Sequence, residues 1–160
     1  MYRVGLGFDV HPFMDNRPLV LGGVTIPNER GLEGDSDADV LAHSLIDALL
    51  GALALGDIGR VFGVGTPEVM GIRSLILLER TMTLIHEKGY HIVNVDATII
   101  AQVPKLGPHL PSMMENLCPL LKIKSDALSL KATTPKHLGA LGDKQGIAVQ
   151  SIVLLQKDNL

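Results

Sequence analysis

The sequence predicts an α/β fold of the α+β sandwich type, a mixed β-sheet with helices packed on one face. Three observations predict it. Segments that alternate apolar and polar residues, the period-two pattern of a strand, open the chain and recur in its second half. Apolar residues at helical spacing fill the stretches between them. The 17 glycines and 9 prolines are scattered as single breaks and never massed into a linker. Residues 1–160 are therefore expected to form one domain, long enough to bury about 70% of its unfolded surface around a single core.

In the first segment Tyr2, Val4, Leu6 and Phe8 alternate with Arg3, Gly5, Gly7, Asp9 and His11. The strand thus has an apolar side and a side that ends in Asp9 and His11. Leu19 to Leu21 and Val24 to Ile26 flank Gly22-Gly23, a β-hairpin whose tip can take positive φ. Ser36 or Asp37 is the expected cap of a helix that runs through Leu41, Leu45, Ala48, Leu49 and Ala52 and stops at Gly56. A second helix is expected from about Arg73 to Lys88, stopped by Gly89. Tyr90 to Val103 is rich in β-branched residues and reads as a long strand closed by Pro104. Pro111 opens a third helix that Pro119 shortens or kinks, and Leu128 to Thr133 and Ile147 to Leu155 supply the last strands.

Composition excludes several function classes. Hydrophobic residues make up 46% and charged residues 19%, unlike a disordered polar tail, and no apolar run is long enough for a membrane-spanning helix. A net charge of −3, with two tyrosines, three phenylalanines and no tryptophan, provides neither the positive field nor the stacking platform that nucleic acid requires. The single cysteine, Cys118, cannot form an internal disulfide, and Met1-Tyr2-Arg3 runs straight into a strand pattern, so a cytoplasmic location is expected.

The sharpest candidate for chemistry is Asp9, His11 and His43. Asp9 and His11 leave the same face of a strand, and His43 lies about two turns into a helix able to cross that strand's end. Two imidazoles and a carboxylate are the donor set with which zinc is bound when one position must stay open for substrate. By spacing alone the same residues also suit a hydrogen-bonded strand end and a satisfied core histidine. Asp39, one turn before His43, is the expected acceptor for the outer nitrogen of the ring. Gly56 to Gly59 and Lys131 to Thr134 are turns whose N–H groups and hydroxyls suit an anion, and Lys105 is a further phosphate donor. Taken singly, the three segments read more readily as a helix cap, as β-propensity and as a solvated loop lysine.

Gly7-Phe8-Asp9-Val10-His11, followed by Asp35-Ser36-Asp37-Ala38-Asp39-Val40 and His43, resembles the 2-C-methyl-D-erythritol 2,4-cyclodiphosphate synthase family of the non-mevalonate isoprenoid pathway. Leu55-Gly56-Asp57-Ile58-Gly59, Asn94 to Gln102, Pro104-Lys105, Lys131-Ala132-Thr133-Thr134 and Gly146-Ile147-Ala148 follow in the family's order and spacing, so the resemblance covers essentially the whole chain.

The resemblance implies a phosphorus–oxygen lyase built as a homotrimer with an active site at each subunit interface. The substrate, 4-diphosphocytidyl-2-C-methyl-D-erythritol 2-phosphate, would close on itself to the 2,4-cyclodiphosphate with release of CMP. Asp9, His11 and His43 would hold Zn²⁺ or another divalent transition metal, with Val10, Asp35 and Ser36 against the substrate beside them. Asp57, Ile58 and Gly59 would hold its ribose and erythritol end. Ala101, Pro104, Lys105, Leu106 and Gly107, with Ala132, Thr133 and Thr134, would hold its cytidine diphosphate end. Thr134 and Asp35 are the expected catalytic positions, and a second cation, Mg²⁺ or Mn²⁺, would be bound mainly through substrate phosphates. Because the nucleophile belongs to the substrate, the protein need supply only positioning and charge neutralisation.

Departures from the family pattern are concentrated in charge. Asp35 stands where the family has histidine, Lys136 where it has the glutamate of the second cation, Val64 and Met70 where it has polar loop residues, and Asp143 where it has arginine. Lys136 is expected beside the diphosphate as a partial substitute for the missing cation. These changes keep an alternative in view, a weakly active or silent trimer that binds metal and cytidine nucleotide in a regulatory or scaffolding role.

Overall fold

The computed structural model describes residues 1–159; Leu160, the last residue of the expected domain, lies outside them. The described chain runs β1 (Tyr2–Asp15), β2 (Leu19–Leu21), β3 (Val24–Ile26), β4 (Arg30–Leu32), α1 (Val40–Ala52), α2 (Ile58–Phe62), α3 (Ser74–Glu87), β5 (Tyr90–Ile100), α4 (Leu110–Leu121), β6 (Leu128–Thr133), α5 (Gly139–Gly142) and β7 (Gly146–Lys157). Five strands form one mixed sheet in the order β4-β1-β7-β5-β6, and β2-β3 is the separate hairpin expected from Gly22-Gly23. Those glycines have φ of 56° and 72°, values that cost a side-chain-bearing residue more than glycine. Only β5 and β6 pair in parallel, joined by α4, so the sheet is mixed and the helices share one of its faces, as expected.

The core explains that one-sidedness. Helix α1 is buried nearly all round, the pattern of a helix packed on several sides. It lies so close to β1 that a Cβ on Gly5 would stand 1.9 Å from the Ala48 carbonyl oxygen, and one on Gly7 1.9 Å from that of Ser44. The side of β1 that carries Gly5, Gly7, Asp9 and His11 therefore faces the helix. Its apolar side, from Val4 (68% exposed) to Val10 (49%), is the bare one.

Several element limits differ from those read in the sequence. β1 continues to Asp15 to pair with β4, a short strand that no pattern announced. The cap of α1 is Asp39, which accepts the Ala42 N–H; Ser36 and Asp37 are engaged one turn earlier. Helix α1 ends at Ala52, and Gly56-Asp57 instead opens the short α2, with Asp57 accepting the Arg60 N–H. β5 stops at Ile100, three residues before the expected Val103, and the chain bends from Gln102 to Pro104, where the Val103–Pro104 bond is cis. Pro119 sits inside α4 two residues before its end, and Lys122 closes the helix with φ of 55°.

Candidate metal centre and its cleft

The alternation of β1 places Asp9 and His11 on its helix-facing side, and the capping of α1 by Asp39 sets His43 in the first turn of the helix, directly over them. Asp9 Oδ2 lies 2.8 Å from His11 Nε2 and 3.2 Å from His43 Nδ1, and the two nitrogens are 3.3 Å apart. Ligand atoms on a tetrahedral zinc at about 2.0–2.1 Å are separated by about 3.3 Å, so the three atoms approximate one face of that tetrahedron.

The chemistry of the donor set fits a cation for a second reason. The other ring nitrogens are engaged: His11 Nδ1 donates to the Glu33 carbonyl, and His43 Nε2 lies 2.9 Å from Ser74 Oγ and 3.1 Å from Ser36 Oγ. The inner nitrogens, His11 Nε2 and His43 Nδ1, converge on one carboxylate oxygen, an arrangement that a shared proton or a metal ion satisfies. Burial alone would raise the Asp9 carboxyl, but its hydrogen bonds with His11 and His43 outweigh burial and hold it down at about 2. For His11 burial works toward a lower value, and the contact with Asp9 wins, raising it. The cluster is thus able to hold a metal ion.

Around it opens a cleft of about 210 Å³ into which Asp35, Ser36, Asp47, Ile58 and Gly59 also face. Asp47 accepts the Ile58 N–H at 2.8 Å and so pins the start of α2 to α1; burial, with Asp9 nearby, pushes its carboxyl up. Asp35 stands at the rim. Its carboxylate accepts the Gly65 N–H at 2.9 Å and its carbonyl the Gly71 N–H at 2.7 Å, which draws the Gly63–Gly71 strap, with Val64, across the opening.

Asp39 does not serve His43. Fully buried, it spends both carboxylate oxygens on the N–H groups of Gly22, Gly23 and Ala42, tying the hairpin tip to the start of α1. The outer nitrogen of His43 is held instead by Ser36 and Ser74. Ser74 stands 31 residues beyond His43, and no local spacing could have revealed it. Arg17, which donates to the carbonyls of Gly34 and Ser36 at 2.6 Å and steadies that segment, went equally unnoticed.

The residues expected at the cytidine diphosphate end gather elsewhere, at the C-terminal ends of β5 and β6. Ala101 donates to the Thr133 carbonyl, and Thr134 Oγ1 donates to Gln102 Oε1 at 2.9 Å. Lys136 follows with φ of 57°, its N–H on Thr134 Oγ1. Lys131 is turned away to pair with Asp96 on the bare face of the sheet, so its ammonium is not part of an anion-binding turn with Thr133 and Thr134. None of these residues reaches the metal cleft of the same chain. In sheet register Val10, Ala148, Ile100 and Thr133 stand side by side, which separates the two groups by three strand spacings, about 14 Å.

Residues 2–156 match the YgbB family. The chain belongs to that family. Other YgbB-like proteins that it resembles carry the name suggested by the sequence: the 2-C-methyl-D-erythritol 2,4-cyclodiphosphate synthase of Clostridium botulinum is 52% identical over 153 residues, 96% of this chain and 99% of the relative. That of Bacillus cereus is 50% identical over 157 residues, 98% and 99% of the two chains. Among solved structures, the bifunctional IspDF of Campylobacter jejuni superposes with a TM-score of 0.95 at 41% identity, covering 99% of this chain and 43% of that longer one. The CDP complex of IspF from Plasmodium falciparum gives 0.87 at 36%, covering 99% and 97%. No helix among the described residues is long and apolar enough to cross a membrane.

Proposed function

We propose that this YgbB-family chain is a 2-C-methyl-D-erythritol 2,4-cyclodiphosphate synthase, closing 4-diphosphocytidyl-2-C-methyl-D-erythritol 2-phosphate on itself and releasing CMP. The observation that carries this reading is the convergence of Asp9, His11 and His43 in a cleft, within a chain half of whose residues match proteins of that name. Asp9, His11 and His43 would hold a divalent ion, Zn²⁺ by the donor set, which when bound supplies a Lewis acid for phosphate oxygens. Asp57 orients the start of α2, where Ile58 and Gly59 present backbone to the sugar end of the substrate. Ala101 to Gly107 and Ala132 to Thr134 would hold the cytidine diphosphate, with Thr134 positioned by Gln102 and with Lys105 and Lys136 supplying positive charge; a second cation, Mg²⁺ or Mn²⁺, would be bound mainly through the substrate.

The separation of the two groups of residues supports a homotrimer in which each active site takes its metal cleft from one subunit and its cytidine pocket from a neighbour. The bare apolar half of the sheet, Val4, Leu6, Phe8, Val10 and Ile152, is the surface such an assembly would cover. Charge inversion at Asp35 and Lys136 favours the second reading, a silent nucleotide-binding trimer.

One assay separates the two readings: incubation of the purified protein with the substrate and Mg²⁺, with CMP followed by chromatography. Turnover is expected, absent in His43→Ala and in a Thr133→Ala/Thr134→Ala variant, and partly restored when the two inactive proteins are unfolded and refolded together. Tight CDP binding with no CMP release would establish the silent trimer.

A further inference from the structure

A carboxylate, a hydroxyl and an imidazole stand in line behind the metal cluster. Asp37 Oδ1 lies 2.5 Å from Ser74 Oγ, and Asp37 Oδ2 accepts the Ser74 N–H at 3.1 Å. Ser74 Oγ lies 2.9 Å from His43 Nε2. Ser74 is wholly buried at the first position of α3, so its hydroxyl has no water to turn toward. Arg73, the residue at the helix cap, provides no side-chain cap; Asp37 reaches over from the other segment and takes that role.

The carboxylate at one end sets the order of the protons. An ionised carboxylate only accepts, so the Ser74 O–H points at Asp37. The Ser74 oxygen then offers a lone pair to His43 Nε2, which favours the proton on that nitrogen, and Ser36 Oγ, 3.1 Å from the same nitrogen, can accept it as well. In that tautomer Nδ1 carries no proton and faces Asp9 Oδ2 at 3.2 Å and His11 Nε2 at 3.3 Å. Ser36 is compatible with this order: it accepts the Ala38 N–H at 3.1 Å and has its own proton free for Ser74 Oγ at 3.2 Å.

We propose that Asp37 and Ser74 are positioning residues that lock His43 in the Nε2–H tautomer and so preset its Nδ1 as a metal ligand. The inference rests on reading Asp9, His11 and His43 as a metal site and adds the device that makes His43 ready before any ion arrives. His11 needs no such device, because the Glu33 carbonyl, part of the backbone, orders its ring. His43 is the ligand whose readiness depends on two replaceable side chains, and partners of this kind are typically worth about 10–100-fold in metal affinity.

The test uses the full chain with Zn²⁺ alone, read by competition with a chromophoric chelator, together with long-range ¹H–¹⁵N spectra of the histidine rings in chelator-treated protein. Wild type is expected to show His43 protonated on Nε2. Ser74→Ala keeps the N–H to Asp37 and removes only the hydroxyl; it should weaken Zn²⁺ about tenfold and give mixed His43 tautomers while leaving the His11 signals in place. Ser74→Thr should restore both. A wild-type His43 protonated on Nδ1 would overturn the proposal whatever the variants do, and so would Ser74→Ala with unchanged affinity and tautomer. If wild type fails to bind Zn²⁺ yet shows the Nε2–H form, the metal reading falls and the proton order behind His43 stands.

Discussion

The two faces of β1 are opposite in character. On one, Gly5 and Gly7 let α1 approach to backbone contact, and Asp9 and His11 follow at the point where the helix begins. On the other, Tyr2, Val4, Leu6, Phe8 and Val10 form an apolar row that stays about half exposed or more among the described residues. The usual expectation, that the apolar side of an alternating strand is the core side, is reversed. The covered face is made of glycines because the requirement there is closeness, and closeness is what brings the carboxylate and imidazoles of two elements within coordinating distance. The apolar face is reserved for another copy of the chain under the proposed trimer.

The largest effect is expected from closing the covered face. Gly7→Val would drive a side chain into the Ser44 carbonyl, which neither backbone can vacate; circular dichroism should show no cooperative melt, whereas Phe8→Ala, one residue on, should leave the subunit folded. A Gly7→Val protein with a normal melt would show that α1 can lift off the sheet. Next in size is Leu6→Asp with Phe8→Asp on the bare face. Light scattering should report monomers that retain near-native helix content, with CMP release lost because each site is then halved. Trimers of unchanged mass would move the interface elsewhere.

The covered face also predicts a pH dependence. Asp9 titrates at about 2 when folded against an ordinary 3.8, so its contribution to stability is present above pH 3.8 and is lost as pH falls through 2. His11 is raised, so its contribution is present below its unfolded value of about 6.5 and is lost as pH rises through its folded value. A metal ion must displace the His11 proton. Zn²⁺ affinity should therefore fall about tenfold per pH unit on the acid side of the His11 titration and level off above it, measured by chelator competition. An affinity independent of pH between 5 and 8 would remove His11 from the ligand set. The smallest effect is expected at the rim, where Asp35, a catalytic position by the family resemblance, also holds Gly65: Asp35→Ala should raise KM for the substrate and lower kcat, each a few-fold, and an unchanged kcat would confine Asp35 to holding the strap.

The same comparison shows what the linear sequence could reveal. Asp9 and His11 were legible because a strand repeats every two residues, and His43 because its helix follows a run of capping residues. The hairpin, the three long helices and the four long strands carried their own periodicity. What escaped depended on contacts between distant segments. Asp39 looked like the partner of His43 by helical spacing, yet a buried carboxylate at a helix start is claimed first by the unpaired N–H groups there and at the hairpin tip. Ser74 and Arg17 reach the site from other parts of the chain. β4 and α2 are too short to show a period, and which face of β1 meets α1 depends on α1.

One face of β1 and the first turn of α1 together form a single site able to hold a metal ion. Equilibrium dialysis against Zn²⁺ followed by elemental analysis tests it most directly. One tightly held ion per chain is expected for wild type, and close to none for His43→Ala at the same free Zn²⁺. An equally loaded His43→Ala protein would place the ion elsewhere.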